Sequence, residues 1–154
     1  MRLWRLSSLK FAEAMDGGYG LLFDGRWNTV GHPVTYTATS PSLCVLEKLV
    51  HVEDPALLPA LAMVVYDVPD ETPSAQRALS DLPDDWRRRE ADTQRMGDEW
   101  LAGQEQPLLF VPSSIVPLAG SPDWNVVINH RHPAAASVRI ERIEAFELDV
   151  RLLG

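Results

Sequence analysis

The chain has 154 residues, 45% apolar and 23% charged, a composition that suits one globular domain with a substantial core and excludes a disordered chain. Its formal net charge of −8 comes wholly from residues 52–106, which carry 5 basic against 13 acidic groups, so there is no basic footprint for nucleic acid and a ribonuclease is disfavoured. A single cysteine, Cys44, excludes a disulfide framework and suits a reducing compartment, and no apolar run has the length of a signal peptide core or membrane span, so a cytoplasmic location is expected.

In chain order, LWRL (3–6) reads as a short strand. DGGYG (16–20) has glycines without the lysine and serine of a nucleotide-binding P-loop, and reads as a flexible loop. HPVTYTATS (32–40) has the β-branched and aromatic content of a strand. Ser40 is a good N-cap, Pro41 suits the first helical position, and no breaker follows, so a helix is expected over 41–51. ALAMVVYDV (60–68) reads as a strand, and a polar, proline-containing stretch follows it. DTQRMGDEWL (92–101) reads as a helix stopped by Gly103. PLLFVPSSIVP (107–117), DWNVVINHRHP (123–133) and the tail 137–150 read as strands. The tail alternates Phe146, Leu148 and Val150 with Glu147, Asp149 and Arg151, the pattern of a half-buried strand. Two helices among five or six strands, without a βαβ rhythm, predict an α+β fold in a single domain spanning 1–154.

Several residues invite chemistry. On a helical wheel Leu43, Leu46, Leu49 and Val50 define an apolar side, with Glu47 at its margin. A carboxylate there is either a snorkelling boundary residue or a functional one. Arg26, in a Gly/Asn-flanked turn, either pairs with Asp24 or caps a carbonyl, or offers a guanidinium fork to a phosphate. Tyr36 is a core strand residue, or a ring against which a planar ligand stacks with a hydroxyl to orient it. Ser113 or Ser114 with His132 and Asp123 would make a hydrolase triad, but no G-x-S-x-G elbow surrounds them. His130 and His132 share a strand face, yet no third ligand of suitable spacing accompanies them, so no metal site is expected.

The blocks GRWN (25–28), PVTYTATS (33–40), LCVLEKLVH (43–51), GDEWL (97–101), LLFVPSSIVP (108–117) and NVVINHRHP (125–133) resemble, in order and separation, the RES domain family. These are the toxins of Xre–RES toxin–antitoxin systems, named for an arginine, a glutamate and a serine. Two local departures are Asp24-Gly25, where the family often has a further glycine, and His130, where a proline is common.

The resemblance implies a fold similar to the ADP-ribosyltransferase domain of diphtheria-type toxins, with NAD⁺ as substrate and no metal. It implies that Arg26, Glu47 and Ser113 are the name-giving residues and that Tyr36 is the family's strand tyrosine. Ser113 is preferred over Ser114 on the V-P-S pattern. Arg26 would neutralise the pyrophosphate, Tyr36 hold the nicotinamide ring, Glu47 stabilise positive charge on the ribose, and Ser113 position ribose or acceptor. Asn125, Asn129 and His132 would fix the loop around the site. The expected partner is a Xre-family antitoxin, and a homodimer within the antitoxin complex is compatible with this. ADP-ribose would pass to water, phosphate or a host protein. The alternative is a non-catalytic module that binds a nucleotide in the same pocket.

Overall fold

The computed structural model describes residues 1–154. Along the chain run β1 (Arg2–Ser8), α1 (Gly18–Leu22), β2 (Val34–Ala38), α2 (Pro41–Leu49), β3 (Leu61–Asp67), β4 (Ser74–Gln76), α3 (Glu90–Gly103), β5 (Leu108–Val111), β6 (Asn125–Asn129) and β7 (Arg139–Phe146). The seven strands form one mixed sheet in the order β4-β5-β6-β2-β1-β3-β7. The architecture is α+β, as expected. No helix is long and apolar enough to cross a membrane.

Apolar runs, rather than alternating ones, make the central strands because both sheet faces are covered. In β6, Val126 and Ile128 pack into one cluster with Leu3, Val64 and Tyr66, while Val127 packs on the other face with Trp27, Trp86, Trp100 and Leu109. Each such side chain, fully withdrawn from water, contributes about 1.5–3 kcal/mol before the entropy of ordering it is counted. A third cluster, Ala38, Leu43, Cys44 and Met63, lies under α2.

One irregularity positions the site. β1 pairs with β3 over seven consecutive residues, from Arg2↔Asp67 to Ser8↔Leu61, but meets β2 only at Trp4↔Ala38. The sheet opens beyond that contact. α2 enters there, with the Cys44 thiol donating to the Trp4 carbonyl at 3.1 Å. At the same end Ala38 of β2 and Val111 of β5 both lie beside Asn125 of β6. The end of β2, the end of β5 and the start of β6 therefore open onto one place.

Several sequence expectations need correcting. The DGGYG segment is not a loop throughout: Gly17 takes a left-handed φ of 67° and the short α1 begins at Gly18. A Cβ on Gly20 would strike the His32 carbonyl, so this glycine serves close packing. The polar stretch after β3 contains β4, which pairs in parallel with β5, so one crossover carrying α3 exists where none was expected. The expected strand over 107–117 is confined to Leu108–Val111, because Pro112 has no N–H to continue the ladder. Gly103 stays helical, and Gln104 takes the left-handed position with φ 48°. In the tail, β7 ends at Phe146 and Val150 is 78% exposed in a final 3₁₀ turn, which breaks the expected alternation.

Candidate functional site

Helix α2 begins as the sequence predicts. Ser40 is extended, its hydroxyl accepts from the Leu43 N–H at 3.2 Å, and Pro41 occupies the first turn. The buried face differs from the expected one. Leu43 and Cys44 are buried, whereas Leu46 and Val50 are 40% and 59% exposed. Glu47 lies four residues after Leu43 and three after Cys44, so it belongs to the inward face rather than its margin. Burial pushes the Cys44 thiol up to about 12, which leaves it an unreactive neighbour.

Two side chains hold the Glu47 carboxylate by one oxygen. The Ser113 hydroxyl donates to Oε1 at 2.9 Å, and the Asn125 side-chain amide donates to the same Oε1 at 2.6 Å. Oε2 makes no hydrogen bond or ion pair within the chain. Ser113 is 1% exposed, and its Oγ also accepts from the N–H groups of Ile115 and Val116 at 3.0 and 3.2 Å. Its hydroxyl therefore ties the turn after Pro112 to the carboxylate, and it is bonded to neither His132 nor Asp123. Ser114, the next residue, lines a neighbouring cleft.

Arg26 reaches that cleft from the other side. Its turn is closed by the Gly25 N–H to the Asn28 carbonyl at 3.0 Å and anchored by Trp27, which is 2% exposed and packs on Trp86. The Arg26 guanidinium lies over the Trp86 ring, 5.7 Å from its centroid, and donates to the Arg87 carbonyl at 3.4 Å. Glu90 is its loose carboxylate partner at 3.9 Å. Asp24, the partner considered from sequence, instead accepts from the Val30 N–H. The cleft holds about 690 Å³ and is lined by Arg26, Asp84, Asp85, Arg87, Arg88 and Ser114, with no apolar residue.

Tyr36 supports the arginine turn from β2. Its hydroxyl accepts from the Trp27 N–H at 2.9 Å and donates to Asn28 Oδ1 at 2.6 Å. Burial holds its phenol well above the usual range, so it remains a donor at any ordinary pH. A Cβ on Gly25 would press on this hydroxyl and ring, so the glycine lets the turn sit down on Tyr36. The hydroxyl is thus committed to the turn, and the half-buried ring is what remains for a ligand. Ser113 thus joins Glu47 to the segment whose next residue, Ser114, lines the cleft that Arg26 also lines, while Tyr36 holds the Arg26 turn from β2.

Asn129 and His132, named from sequence as loop-fixing residues near the site, lie at the opposite end of β6 from Asn125. Asn129 accepts from the Arg131 N–H, and His132 Nδ1 accepts from the Ala134 N–H as the cap of a 3₁₀ turn. His130 Nε2 pairs with Thr35 Oγ1 at 2.7 Å, and burial lowers its pKa. Asn125 belongs to the carboxylate directly, a closer role than the sequence suggested. Its place at the first residue of β6, opposite Ala38, emerges only from strand register. Arg87 and Arg88 carried no sequence signal beyond a run of three arginines in an acidic segment.

The sequence pattern described as "RES domain" matches residues 2–150. A curated relative named Toxin Res, from Pseudomonas putida, is 38% identical over 154 residues and covers 99% of each chain. A relative named Prs ADP-ribosylating toxin, from a Sphingobium species, is 31% identical over 146 residues and covers 92% of this chain and 88% of that one. Among solved structures, the crystal structure of the M. tuberculosis MbcT–MbcA toxin–antitoxin complex contains a similar chain. The TM-score is 0.71 at 16% identity, covering 94% of this chain and 83% of the other, which is a likeness of fold.

Proposed function

The chain belongs to the RES domain family, and from that premise we propose that it is the toxin of a toxin–antitoxin pair that cleaves the nicotinamide–ribose bond of NAD⁺. The observation that carries the chemistry is the state of Glu47. Oε1 is gripped by Ser113 and Asn125 while Oε2 is left free, and Ser114, the neighbour of Ser113, lines the cleft that Arg26 also lines. A carboxylate fixed in this way is oriented before substrate arrives, so little reorganisation accompanies charge development.

Cleavage breaks the bond between the ribose C1′ and the pyridinium nitrogen. The bonding electron pair leaves with the ring, and nicotinamide departs neutral, so no strong general acid is required. Positive charge grows on the ribose, as in glycoside hydrolysis, and the Glu47 carboxylate opposes it. Arg26 neutralises the pyrophosphate, held at its post by Trp86 and the Arg87 carbonyl. The Tyr36 ring takes the nicotinamide face, while its hydroxyl keeps the arginine turn in shape. Ser113 acts through Glu47 as a positioning residue. An acceptor nucleophile (water, phosphate or a protein side chain) then takes the ADP-ribose at C1′. A Xre-family antitoxin neutralises the activity.

The test is to express the chain in bacteria with and without an antitoxin and to follow growth, cellular NAD⁺ and ADP-ribosylated protein. Arrest accompanied by falling NAD⁺ or a newly modified protein is the expected outcome. Normal growth with soluble, folded protein and unchanged NAD⁺ would sink the reading and leave the non-catalytic nucleotide-binding module in its place.

A further inference from the structure

The 3₁₀ turn Trp86–Arg88, in the chain's acidic middle segment, borders a cleft lined by three arginines. Arg26 stacks on the turn through the Trp86 ring, and Arg87 and Arg88 line the same cleft. The third arginine of the run is differently occupied: Arg89 pairs with Asp85 at 3.0 Å and with Asp92 at 3.2 Å. Arg87 and Arg88 make no ion pair and no side-chain hydrogen bond within the chain. In a protein of net charge −8, with carboxylates close by in sequence, two arginines left unpaired beside a third are a departure from the local pattern.

The acidic lining does not cancel them. Asp85 is drawn to Arg89, leaving Asp84 as the one uncommitted carboxylate against Arg87, Arg88 and the loosely paired Arg26. The cleft is an open groove of about 690 Å³, within the usual size of a small-molecule site, and none of its lining residues is apolar. Several planar guanidinium forks on one cleft match adjacent phosphate groups, which accept two hydrogen bonds each.

We propose that Arg87 and Arg88 form, together with Arg26, a pyrophosphate-binding site, so that the dinucleotide is gripped by three arginines rather than one. The identity of the ligand rests on the NAD⁺ reading above; the anion site itself rests on the cleft. Trp86 is the organising residue, since its ring supports Arg26 while its chain neighbours supply the other two forks. Asp84 makes the cleft a poor trap for simple anions and favours a ligand that brings hydroxyl donors along with its phosphates.

The experiment is calorimetry of wild type, Arg87→Ala/Arg88→Ala and Arg87→Lys/Arg88→Lys with ADP-ribose, inorganic pyrophosphate and nicotinamide riboside, at two salt concentrations. Both positions are exposed, and a thermal melt checks that the variants fold. The alanine pair is expected to weaken ADP-ribose binding by about 10- to 100-fold and to flatten its salt dependence, and the lysine pair to recover only part of this. Nicotinamide riboside, which has no phosphate, should bind wild type and variants alike. Unchanged ADP-ribose affinity in the alanine pair overturns the site. If wild type binds pyrophosphate through Arg87 and Arg88 but not ADP-ribose, the site stands and the NAD⁺ reading falls. If wild type binds none of the phosphate ligands, both fall.

Discussion

Removing either donor to Glu47 Oε1 should release the carboxylate, and removing both should do little more. The Ser113 hydroxyl and the Asn125 amide meet the same oxygen at 2.9 and 2.6 Å. A hydrogen bond to a charged group contributes about 1.5–3 kcal/mol, and the part realised in the chemical step predicts roughly 10- to 100-fold slower turnover for Ser113→Ala or Asn125→Ala alone. One remaining bond cannot hold a carboxylate against rotation, so the double variant should fall well short of the product of the two losses. A coupling energy of about 1–2 kcal/mol is expected. Stability separates the pair. Ser113 is buried and also accepts from the Ile115 and Val116 amides, so its loss strands two N–H groups and costs about 2 kcal/mol, or about 4–8 °C in Tm. Asn125→Ala strands neither and should melt close to wild type. The assay is nicotinamide release at saturating NAD⁺ per folded molecule, with thermal melts in parallel. Strictly multiplicative losses, or Asn125→Ala with wild-type turnover, would refute the idea that the two donors act as one clamp.

Tyr36→Phe keeps the ring and deletes the acceptor of the Trp27 N–H and the donor to Asn28, so a loss of about 1–3 kcal/mol in stability is expected with a raised KM, read from melts and initial rates. A variant with lower KM would contradict this. Arg26→Ala should weaken NAD⁺ binding by about 1.5–3 kcal/mol, and Arg26→Lys should restore only part of it, measured by calorimetry. His130 is held neutral by burial beside Thr35, so its folded pKa lies below the ordinary value of 6.5. Its contribution to stability is complete above pH 6.5 and is lost as pH falls through the folded pKa. His130→Gln should therefore flatten the fall in Tm between pH 6.5 and the carboxylate range; an unaltered slope would show that His130 does not drive it.

Local signals were legible where chemistry acts over short chain distances. Ser40 and Pro41 announced the start of α2, and the β-branched and aromatic runs announced β2, β3 and β6, because caps and pleats are properties of neighbouring residues. Position in the fold was less legible. Glu47 looked marginal on a wheel because Leu46 and Val50 were counted as core, whereas α2 is rotated so that Cys44 and Glu47 face inward. That face packs on Ala38 and Met63 near the single β1–β2 contact, which no local pattern reports. Asn125 became a partner of Glu47 only through its register beside Ala38 and Val111. The short strand β4 lies in a proline-containing stretch and owes its conformation to pairing with β5, a partner more than 30 residues away. The order of the six blocks compensated for some of this, since it singled out Arg26, Tyr36, Glu47 and Ser113 before any contact was known.

Nicotinamide release from NAD⁺ by wild type and Glu47→Gln, each paired with a thermal melt, tests the central claim most directly. The amide keeps shape and volume and removes the charge that opposes the developing cation on the ribose. Turnover is predicted to fall by roughly 10²–10³-fold while NAD⁺ affinity and Tm change little, because the lost interaction matters mainly in the transition state. Retained turnover in a less stable Glu47→Gln protein would contradict the account and make the clamped carboxylate a structural one.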